Sequence, residues 1–411
     1  MMPRLFLTLG MIFSFTATAT AQSAGVTAVT GVLLIDGTER APVINATILV
    51  RDGRVIAAGP AASVTVPPAA QRVSLAGKVV IPGLINAHGH VNVPEDLATY
   101  AAYGITTVYS LGGEPGSVFA VRAAQRTSPP KVARVYVAGP VLTPRTPEEA
   151  RTQVADVAAQ QVDIVKIRVD DNLGTAAKMP PEVYRAVIDA AHARGMRVAV
   201  HFYYLDDAKA LLAAGADFMA HSVRDKPVDD AFVQALKSSG KCYSPTLMRE
   251  VSTFVYGTTP PFFSDSLFLA HANKQWISTL REPARQEAMR NSASAKTYQA
   301  QLPVAEKNLL ALSKAGVPIA MGTDTGPVGR FQGYFELMEM EMMVAAGLTP
   351  RQAIASATRD AARCMQIDRD VGTLEPGKWA DFVALDASPL ENISNLRRIN
   401  SVWIAGSRIA R

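Results

Sequence analysis

The chain has 411 residues, of which 48% are hydrophobic and 19% charged, so it can bury a large core and is too apolar to be disordered. Its net charge is +5, but lysine and arginine are scattered along the chain and form no basic run. We therefore expect no nucleic-acid partner.

The first residues have the pattern of a secretory signal peptide. Arg4 precedes an apolar run from Leu5 to Phe15, and small residues follow up to Ala21. The run is too short to span a bilayer as a stable helix. We predict that residues 1–21 are a signal peptide and that the mature protein is secreted or periplasmic, with no membrane anchor after cleavage.

Cys242 and Cys364 are the only cysteines. They could pair in an oxidising compartment. Two cysteines are nevertheless too few to form a disulfide scaffold, and we expect free, buried thiols.

Both ends of the chain carry short strand patterns. Apolar runs precede Asp36-Gly37 and Asp52-Gly53, and Asp-Gly between apolar runs is a strong hairpin signal. Near the C-terminus, residues 381–385 and 401–406 have the same character. We predict a small β-sandwich domain made jointly by residues 22–81 and 370–411.

The middle of the chain alternates between strand and helix patterns. The candidate strands are residues 84–90, 105–111, 135–141, 164–169, 198–203, 218–222, 242–246 and 319–323. Eight such units in about 250 residues are typical of a (β/α)8 TIM-like barrel, here residues 82–369. A doubly wound open α/β sheet is the alternative, but the chain has no Gly-x-Gly-x-x-Gly at a strand-to-helix turn to support it.

One segment, at about residues 249–303, breaks this rhythm. It is rich in aromatic residues, namely Tyr256, Phe262, Phe263, Phe268 and Trp276. Long connections of this kind are commonly functional. We predict a lid-like insertion over the active site, with a surface elaboration or an oligomer contact as the alternative.

Polar residues stand at the ends of several predicted strands. His88 and His90 close the first strand, and residues i and i+2 of a strand point to the same side. The others are Lys166 on the fourth strand, His201 on the fifth, His221 on the sixth and Asp324 on the eighth. A single histidine would most simply be a hydrogen-bonded core residue, and Asp324 alone could cap a turn. Because the carboxyl ends of barrel strands meet at one face, the set together predicts a metal site.

The sequence resembles the amidohydrolase superfamily, in particular its imidazolonepropionase-like and Xaa-Pro or Xaa-Arg dipeptidase-like branches. The resemblance rests on residues 82–90 (PGLINAHGH), 165–167 (VKI), His201, His221, 322–324 (GTD) and 372–381 (GTLEPGKWAD). It departs from the family at Asn86, where Asp is usual, but that position is not a metal ligand in the family.

The resemblance implies a site for two divalent metal ions, and we expect zinc. His88, His90 and Asp324 would hold one ion and His201 and His221 the other. Lys166 would bridge both as a carbamate derived from CO2. Asp324 would be the catalytic residue, taking the proton of a metal-bridging hydroxide and passing it to the leaving group.

The substrate is expected to be a small molecule, and two residues are candidate contacts. Arg168 and Tyr203 follow Lys166 and His201 at i+2 and should share their sides of the strands. Arg168 could hold a carboxylate or instead pair with Asp170 or Asp171. Tyr203 could equally be a packed aromatic residue.

We therefore predict hydrolysis of an amide (C–N) bond, as in a dipeptide or an N-acyl amino acid. Lactones, esters and carbamates remain alternatives. A one-metal deaminase acting on a cyclic amidine is disfavoured, because no acidic residue closely follows His201 and because Lys166 is present. A more remote alternative is a non-catalytic exported binding protein. Homo-oligomer formation is left open.

Overall fold

The computed structural model describes residues 25–410, so the predicted signal peptide lies outside the described residues. The strands are β1 (Thr27–Leu34), β2 (Val43–Arg51), β3 (Arg54–Pro60), β4 (Gln71–Ser74), β5 (Val79–Pro82), β6 (Leu84–Gly89), β7 (Ile105–Ser110), β8 (Arg134–Val137), β9 (Val165–Arg168), β10 (Val198–His201), β11 (Phe218–Ala220), β12 (Cys242–Ser244), β13 (Phe382–Leu385), β14 (Ile399–Ile404) and β15 (Ser407–Arg408).

The α-helices are α1 (Asp96–Ala102), α2 (Gly116–Ala124), α3 (Pro147–Ala159), α4 (Pro181–His192), α5 (Leu205–Ala213), α6 (Asp230–Ser239), α7 (Leu247–Val251), α8 (Ser266–His271), α9 (Lys274–Leu280), α10 (Pro283–Asn291), α11 (Ala293–Ala315), α12 (Tyr334–Ala345), α13 (Pro350–Ser356) and α14 (Arg359–Cys364). Among the described residues, no helix combines the length and the apolar character needed to cross a bilayer.

Strands from both ends of the chain form one eight-stranded sheet. Its order is β15-β14-β13-β5-β1-β2-β3, and β4 pairs with β1. The two ends meet where β5 and β13 pair antiparallel. Beside this pairing, the rings of Phe382 and Trp403 stack with their centroids 5.2 Å apart. The limits proposed for this domain along the chain stay a prediction.

The remaining strands form the barrel. β6, β7 and β8 make one parallel sheet, and β9 to β12 make a second. Single bridges connect the two sheets, between Leu142 and Ile167 on one side and through residues 319–325 on the other. The predicted fold class, an α/β barrel with a small β domain, is therefore confirmed.

The eighth predicted strand is less regular than its pattern suggests. Residues 319–325 make isolated bridges from Ile319 to Tyr243 and from Thr325 to Gly89. Asp324 interrupts the extended backbone with a φ of 58°. Because the backbone N–H groups of both Thr323 and Asp324 donate to the carbonyl of His88, the segment turns at the end of β6 instead of continuing along it.

The insertion after β12 contains α7 to α10 and the first part of α11. Phe263 and Phe268 are buried and stack with their ring centroids 5.5 Å apart. Phe268 also meets Phe331 edge-on, and the hydroxyl of Tyr256 donates to the carbonyl of Gly329. The aromatic residues therefore attach the insertion to the barrel, and its role as a lid stays a prediction.

The expectation of free thiols was wrong. Cys242 and Cys364 form a disulfide across a sequence separation of 122 residues. Cys242 opens β12 and Cys364 ends α14, and packing of that helix beside the barrel brings their Cα atoms to 5.8 Å. This is within the distance that a disulfide spans.

Candidate metal centre

Three of the predicted ligands converge at the carboxyl ends of the barrel strands. One donor atom from each of His88, His90 and Asp324 lies within 4.8 Å of the other two. Asp324 Oδ1 is 2.8 Å from His90 Nε2 and 3.3 Å from His88 Nε2. His88 lies in β6 and His90 directly follows that strand, and both imidazoles approach the same carboxylate oxygen, as the i, i+2 spacing predicted.

Lys166 lies directly beside these ligands. Its side chain is buried, and its Nζ is 3.4 Å from His88 Nε2. No carboxylate of residues 25–410 forms an ion pair with it. Burial lowers the pKa of Lys166 to about 7, so a substantial fraction of the amine is neutral at neutral pH.

His201 and His221 complete the group. Their ring centroids are 4.2 Å apart, and the His221 ring is 4.5 Å from that of His88. His221 Nδ1 is 2.8 Å from Thr246 Oγ1, which leaves its Nε2 for the site. His201 Nε2 contacts Asp170, which leaves its Nδ1 for the site. Hydrogen-bonding partners of this kind commonly orient metal-binding histidines.

Burial keeps these imidazoles neutral. It lowers the pKa of His88 to about 3, with the charge of Lys166 as a second cause. It also lowers the pKa of His201 to about 3, although Asp170 acts in the opposite direction. The pKa of His221 is lowered in the same way. Neutral imidazole is the form that binds a metal.

The backbone around the site adopts conformations that are rare for residues with a side chain. His221, Thr246 and Asp324 have φ values of 82°, 49° and 58°. Such residues cluster at functional sites, at a cost of about 1–3 kcal/mol each. A Cβ on Gly322 would lie 2.7 Å from the Cβ of His88, so a glycine is needed for this close approach.

The arrangement of lone pairs fits a cation. In the tautomer that a metal ligand requires, His90 Nδ1 donates to the carbonyl oxygen of Gly112 at 2.9 Å and the Nε2 lone pair faces the Asp324 carboxylate. His88 Nδ1 is buried and has no hydrogen-bond partner within residues 25–410. Two acceptors 2.8 Å apart repel each other unless a positive charge lies between them. The residues present therefore fit a metal ion.

Asp324 also contacts a guanidinium group. Its Oδ2 pairs with Arg330 Nη1. Burial alone would raise the pKa of Asp324, but the positive charge of Arg330 holds it well below its usual value. The carboxylate is therefore ionised and can accept a proton.

The two predicted substrate contacts lie in different surroundings. The Arg168 guanidinium bonds Asp170 Oδ1 at 2.9 Å, which is the ion pair that the sequence left open. Tyr203 is buried, and its hydroxyl has no hydrogen-bond partner in the described part of the chain. Their role in substrate binding stays a prediction.

A buried group of charges that was not expected from the sequence lies beside Asp324 and Tyr203, and we call it the arginine cluster. It consists of Arg224, Arg249, Glu250 and Arg330. The Nε atoms of Arg224 and Arg249 have no hydrogen-bond partner among the described residues. The position of Arg224, three residues after His221, was the available signal, but an arginine at a strand end is most commonly exposed.

The barrel, the convergent histidines and the aspartate at the carboxyl ends of its strands define a metal-dependent hydrolase. The sequence model of the amidohydrolase family matches residues 79–409. The chain belongs to this family, which confirms the resemblance noted from the motifs.

Two curated proteins are similar to long parts of the chain. The chain is 25% identical to imidazolonepropionase of Nocardia farcinica over 376 residues, which cover 88% of this chain and 91% of that protein. It is 26% identical to ochratoxinase of Aspergillus niger over 281 residues, which cover 66% of this chain and 51% of that protein. Thus the chain spans about half the length of ochratoxinase, and one curated deaminase is matched over only 27% of its length.

A solved structure supports the fold over nearly the whole chain. The crystal structure of a putative prolidase from Bifidobacterium longum superimposes with a TM-score of 0.77 at 26% identity. The superposition covers 94% of this chain and 95% of that protein.

Proposed function

We propose that this protein is an exported hydrolase with two metal ions that cleaves an amide C–N bond in a small molecule carrying a carboxylate, such as a dipeptide or an N-acyl amino acid. The observation that carries the proposal is the convergence of His88, His90 and Asp324 with Lys166 Nζ only 3.4 Å from His88 Nε2. Membership of the amidohydrolase family supports metal-dependent hydrolysis.

Lys166 supports a two-metal site. Its Nζ is 3.4 Å from His88 Nε2, and its charge contributes to the lowered pKa of His201. Lys166 is therefore near histidines of both groups of predicted ligands. A buried ammonium cannot bind a cation, whereas a neutral amine can react with CO2 to give an anionic carbamate. We propose that Lys166 carries this carbamate and that His201 and His221 hold the second ion. Zinc is the proposed metal, because histidine and carboxylate are common zinc ligands.

When bound, two metal ions would supply a nucleophile by lowering the pKa of water and would polarise the substrate carbonyl. The protein contributes the proton transfers. Asp324 is ionised and lies between both histidines and Arg330, so it can take a proton from the attacking water and deliver it to the departing amine. An amine leaving group needs this proton because it is otherwise too basic to depart.

The arginine cluster supports a carboxylate on the substrate. Among residues 25–410, the three guanidinium groups of the cluster pair with only two carboxylates, those of Glu250 and Asp324, so the cluster carries one more positive than negative charge. Electrostatic interactions place Arg249 near both Asp324 and His201. A guanidinium in this position can hold a carboxylate through paired hydrogen bonds. The similarity to a putative prolidase supports a peptide-like substrate.

Export is supported by two features. Residues 1–21 have the pattern of a signal peptide. Cys242 and Cys364 form a disulfide, and disulfides persist mainly in oxidising compartments such as the periplasm.

The proposal is tested by measuring metal content and turnover together. We expect close to two zinc ions per chain and hydrolysis of dipeptides or N-acyl amino acids in a panel that also contains lactones, esters, carbamates and cyclic amidines. Lys166→Ala should lose most metal and activity, with partial rescue by small carboxylic acids, whereas Lys209→Ala, at a surface ion pair with Asp229, should not. A single tightly held metal that is unaffected by Lys166→Ala would contradict the two-metal site, and turnover of cyclic amidines alone would favour the deaminase.

The carboxylate preference has its own test. For a dipeptide and its C-terminal amide, the normal protein should prefer the free carboxylate through a lower KM. Arg249→Met should remove most of this preference and leave metal content unchanged. If the preference survives in Arg249→Met, another group recognises the carboxylate.

A further inference from the structure

A buried hydrogen-bond network lies behind the strand that carries His88 and His90. Asn86 is completely buried in β6, and its Oδ1 accepts the backbone N–H of His88 at 2.9 Å. Its Nδ2 donates to Glu336 Oε1, on α12, at 2.6 Å. The side chain of Asn86 thus connects the backbone of a predicted ligand to a buried carboxylate.

The same carboxylate oxygen also holds the segment that carries Asp324. Glu336 Oε1 accepts from Thr323 Oγ1 at 2.7 Å and from Thr325 Oγ1 at 2.6 Å. These threonines flank Asp324, whose backbone lies in the left-handed region. One oxygen atom of Glu336 therefore joins β6 to the irregular eighth segment, at the point where these two elements bring their ligands together.

Further contacts extend the network to His90. Thr325 Oγ1 is 2.8 Å from the hydroxyl of Tyr100, which in turn donates to the carbonyl of His90 at 3.1 Å. A Cβ on Gly89 would lie 2.8 Å from both Asn86 Nδ2 and the Tyr100 hydroxyl. The network therefore fills the space behind β6, and the glycine between the two histidines is needed to admit it.

We propose that Glu336 is a positioning residue of the metal centre. It acts through Asn86, Thr323 and Thr325 to set the distance of Asp324 from His88 and His90. No arginine, lysine or histidine of residues 25–410 forms an ion pair with Glu336, so neutral N–H and O–H donors are its partners. Hydrogen bonds to a buried carboxylate are strong and directional, and their loss leaves buried polar groups without partners. The inference rests on the proposed metal centre.

The test exchanges the donor and acceptor between Asn86 and Glu336. Asn86→Asp places two carboxylates where the structure has an amide and a carboxylate 2.6 Å apart. We expect it to weaken zinc binding by roughly 10- to 100-fold, the effect typical of lost outer hydrogen bonds at metal sites. Asn86→Asp combined with Glu336→Gln restores one amide facing one carboxylate, and the threonine hydroxyls can reorient because each can donate or accept. This double variant should recover most of the affinity.

Glu339→Gln is the matched control. Glu339 lies on the same helix three residues further on and is also buried, but it accepts from the backbone N–H groups of Leu247 and Met248. Combined with Asn86→Asp, this substitution should give no recovery. Zinc affinity would be measured by competition with a chromophoric chelator. The visible spectrum of the cobalt-loaded protein, which reports ligand geometry, should change in Asn86→Asp and return in the Asn86→Asp/Glu336→Gln variant.

Thermal unfolding of the metal-free variants makes the test independent of turnover. Recovery of the midpoint in the Asn86→Asp/Glu336→Gln variant alone would support the coupling, even if no hydrolysis were detected. Asn86→Asp alone could fail to fold. In that case, the proposal is supported if the Asn86→Asp/Glu336→Gln variant folds and the Asn86→Asp/Glu339→Gln variant does not. Zinc binding by Asn86→Asp at normal affinity, or equal behaviour of both double variants, would overturn it.

Discussion

Asp324 is the residue at which the charges of the site meet. One carboxylate oxygen lies near both His88 and His90, and the other pairs with Arg330. Its left-handed backbone directs the side chain towards these partners instead of along the barrel wall. Metal binding and proton transfer are both proposed for Asp324, and substitutions can separate the two roles.

We expect Asp324→Asn to keep the fold but to lower kcat far more than tenfold, because an amide can coordinate weakly but cannot carry a proton. The measurement is kcat together with metal content and the thermal midpoint. Asp217→Asn is a suitable control, since that carboxylate pairs with His192 and Lys241 and accepts the backbone N–H of Val198, at the opposite end of β10. Activity of Asp324→Asn within tenfold of normal, about 1.4 kcal/mol of barrier, would mean that another group is the base.

Lys166 leads to a prediction about pH. Burial lowers its pKa to about 7, so the amine is protonated below this value and neutral above it. Only the neutral amine reacts with CO2. At a fixed CO2 pressure, metal-free protein should therefore take up the second zinc ion faster at pH 8 than at pH 6. The time course of zinc uptake is the measurement, and Lys166→Ala should show no dependence on CO2. Equal uptake rates with and without CO2 in the normal protein would exclude the carbamate.

At the scale of elements, the insertion after β12 has two parts with different relations to the site. Its first helix, α7, carries Arg249 and Glu250 of the arginine cluster directly from the end of β12. The aromatic part, from Tyr256 to Phe268, packs against Phe331 and Gly329, close in sequence to Arg330. A change in the aromatic part can therefore alter the position of Arg330 and, with it, the surroundings of Asp324.

We predict that replacing residues 256–263 by a short Gly-Ser linker will raise KM, alter substrate preference and leave metal content intact. The thermal midpoint should also fall, because Tyr256 and Phe263 are buried. Steady-state kinetics, metal analysis and unfolding are the measurements. Substitution of the exposed Arg285 and Glu287 on α10 by alanine should change none of them. An altered sedimentation coefficient with unchanged KM would instead indicate an oligomer contact.

For the whole molecule, the terminal sheet and the barrel form a continuous structure. Arg134, on β8, makes two hydrogen bonds to Asp381, immediately before β13, at 2.9 and 3.2 Å. The guanidinium groups of Arg54 and Arg134 lie 4.0 and 4.6 Å from the ring centroid of Trp379. The C-terminal part of the chain thus contacts both the sheet and the barrel wall.

The disulfide should stabilise the barrel at the amino ends of its strands, where Cys242 opens β12 and Arg134 opens β8. Closing a loop of this size commonly contributes about 2–4 kcal/mol, mainly by restricting the unfolded chain. Replacing both Cys242 and Cys364 by serine should lower the thermal midpoint by several degrees without reducing metal content. A reductant should lower the midpoint of the normal protein and not that of the serine variant. If the reductant has the same effect on both, the disulfide does not stabilise the protein.

Several features followed from local patterns in the sequence. The alternation of strands and helices predicted the barrel. It could be recognised from the sequence because the periodicity of apolar residues within each element indicates whether that element is a strand or a helix. The spacing of His88 and His90 alone indicated that they face the same side. The carboxyl ends of parallel strands lie at one face of the barrel, whatever the length of the loops between the strands. The predicted ligands therefore lie together in the structure.

Other features depended on contacts between distant parts of the chain. The disulfide, the partnership of Asp170 with His201 and the arginine cluster arise where surfaces of separate elements pack. No local pattern distinguishes a buried arginine from an exposed one, or a paired cysteine from a free one. Asn86 shows the difference most clearly. Its place in the sequence does not indicate a metal ligand, and its amide meets Glu336, 250 residues away, only when α12 packs behind β6. Spacing along the chain determined which residues face the site, whereas tertiary packing determined which hydrogen bonds and charges surround them.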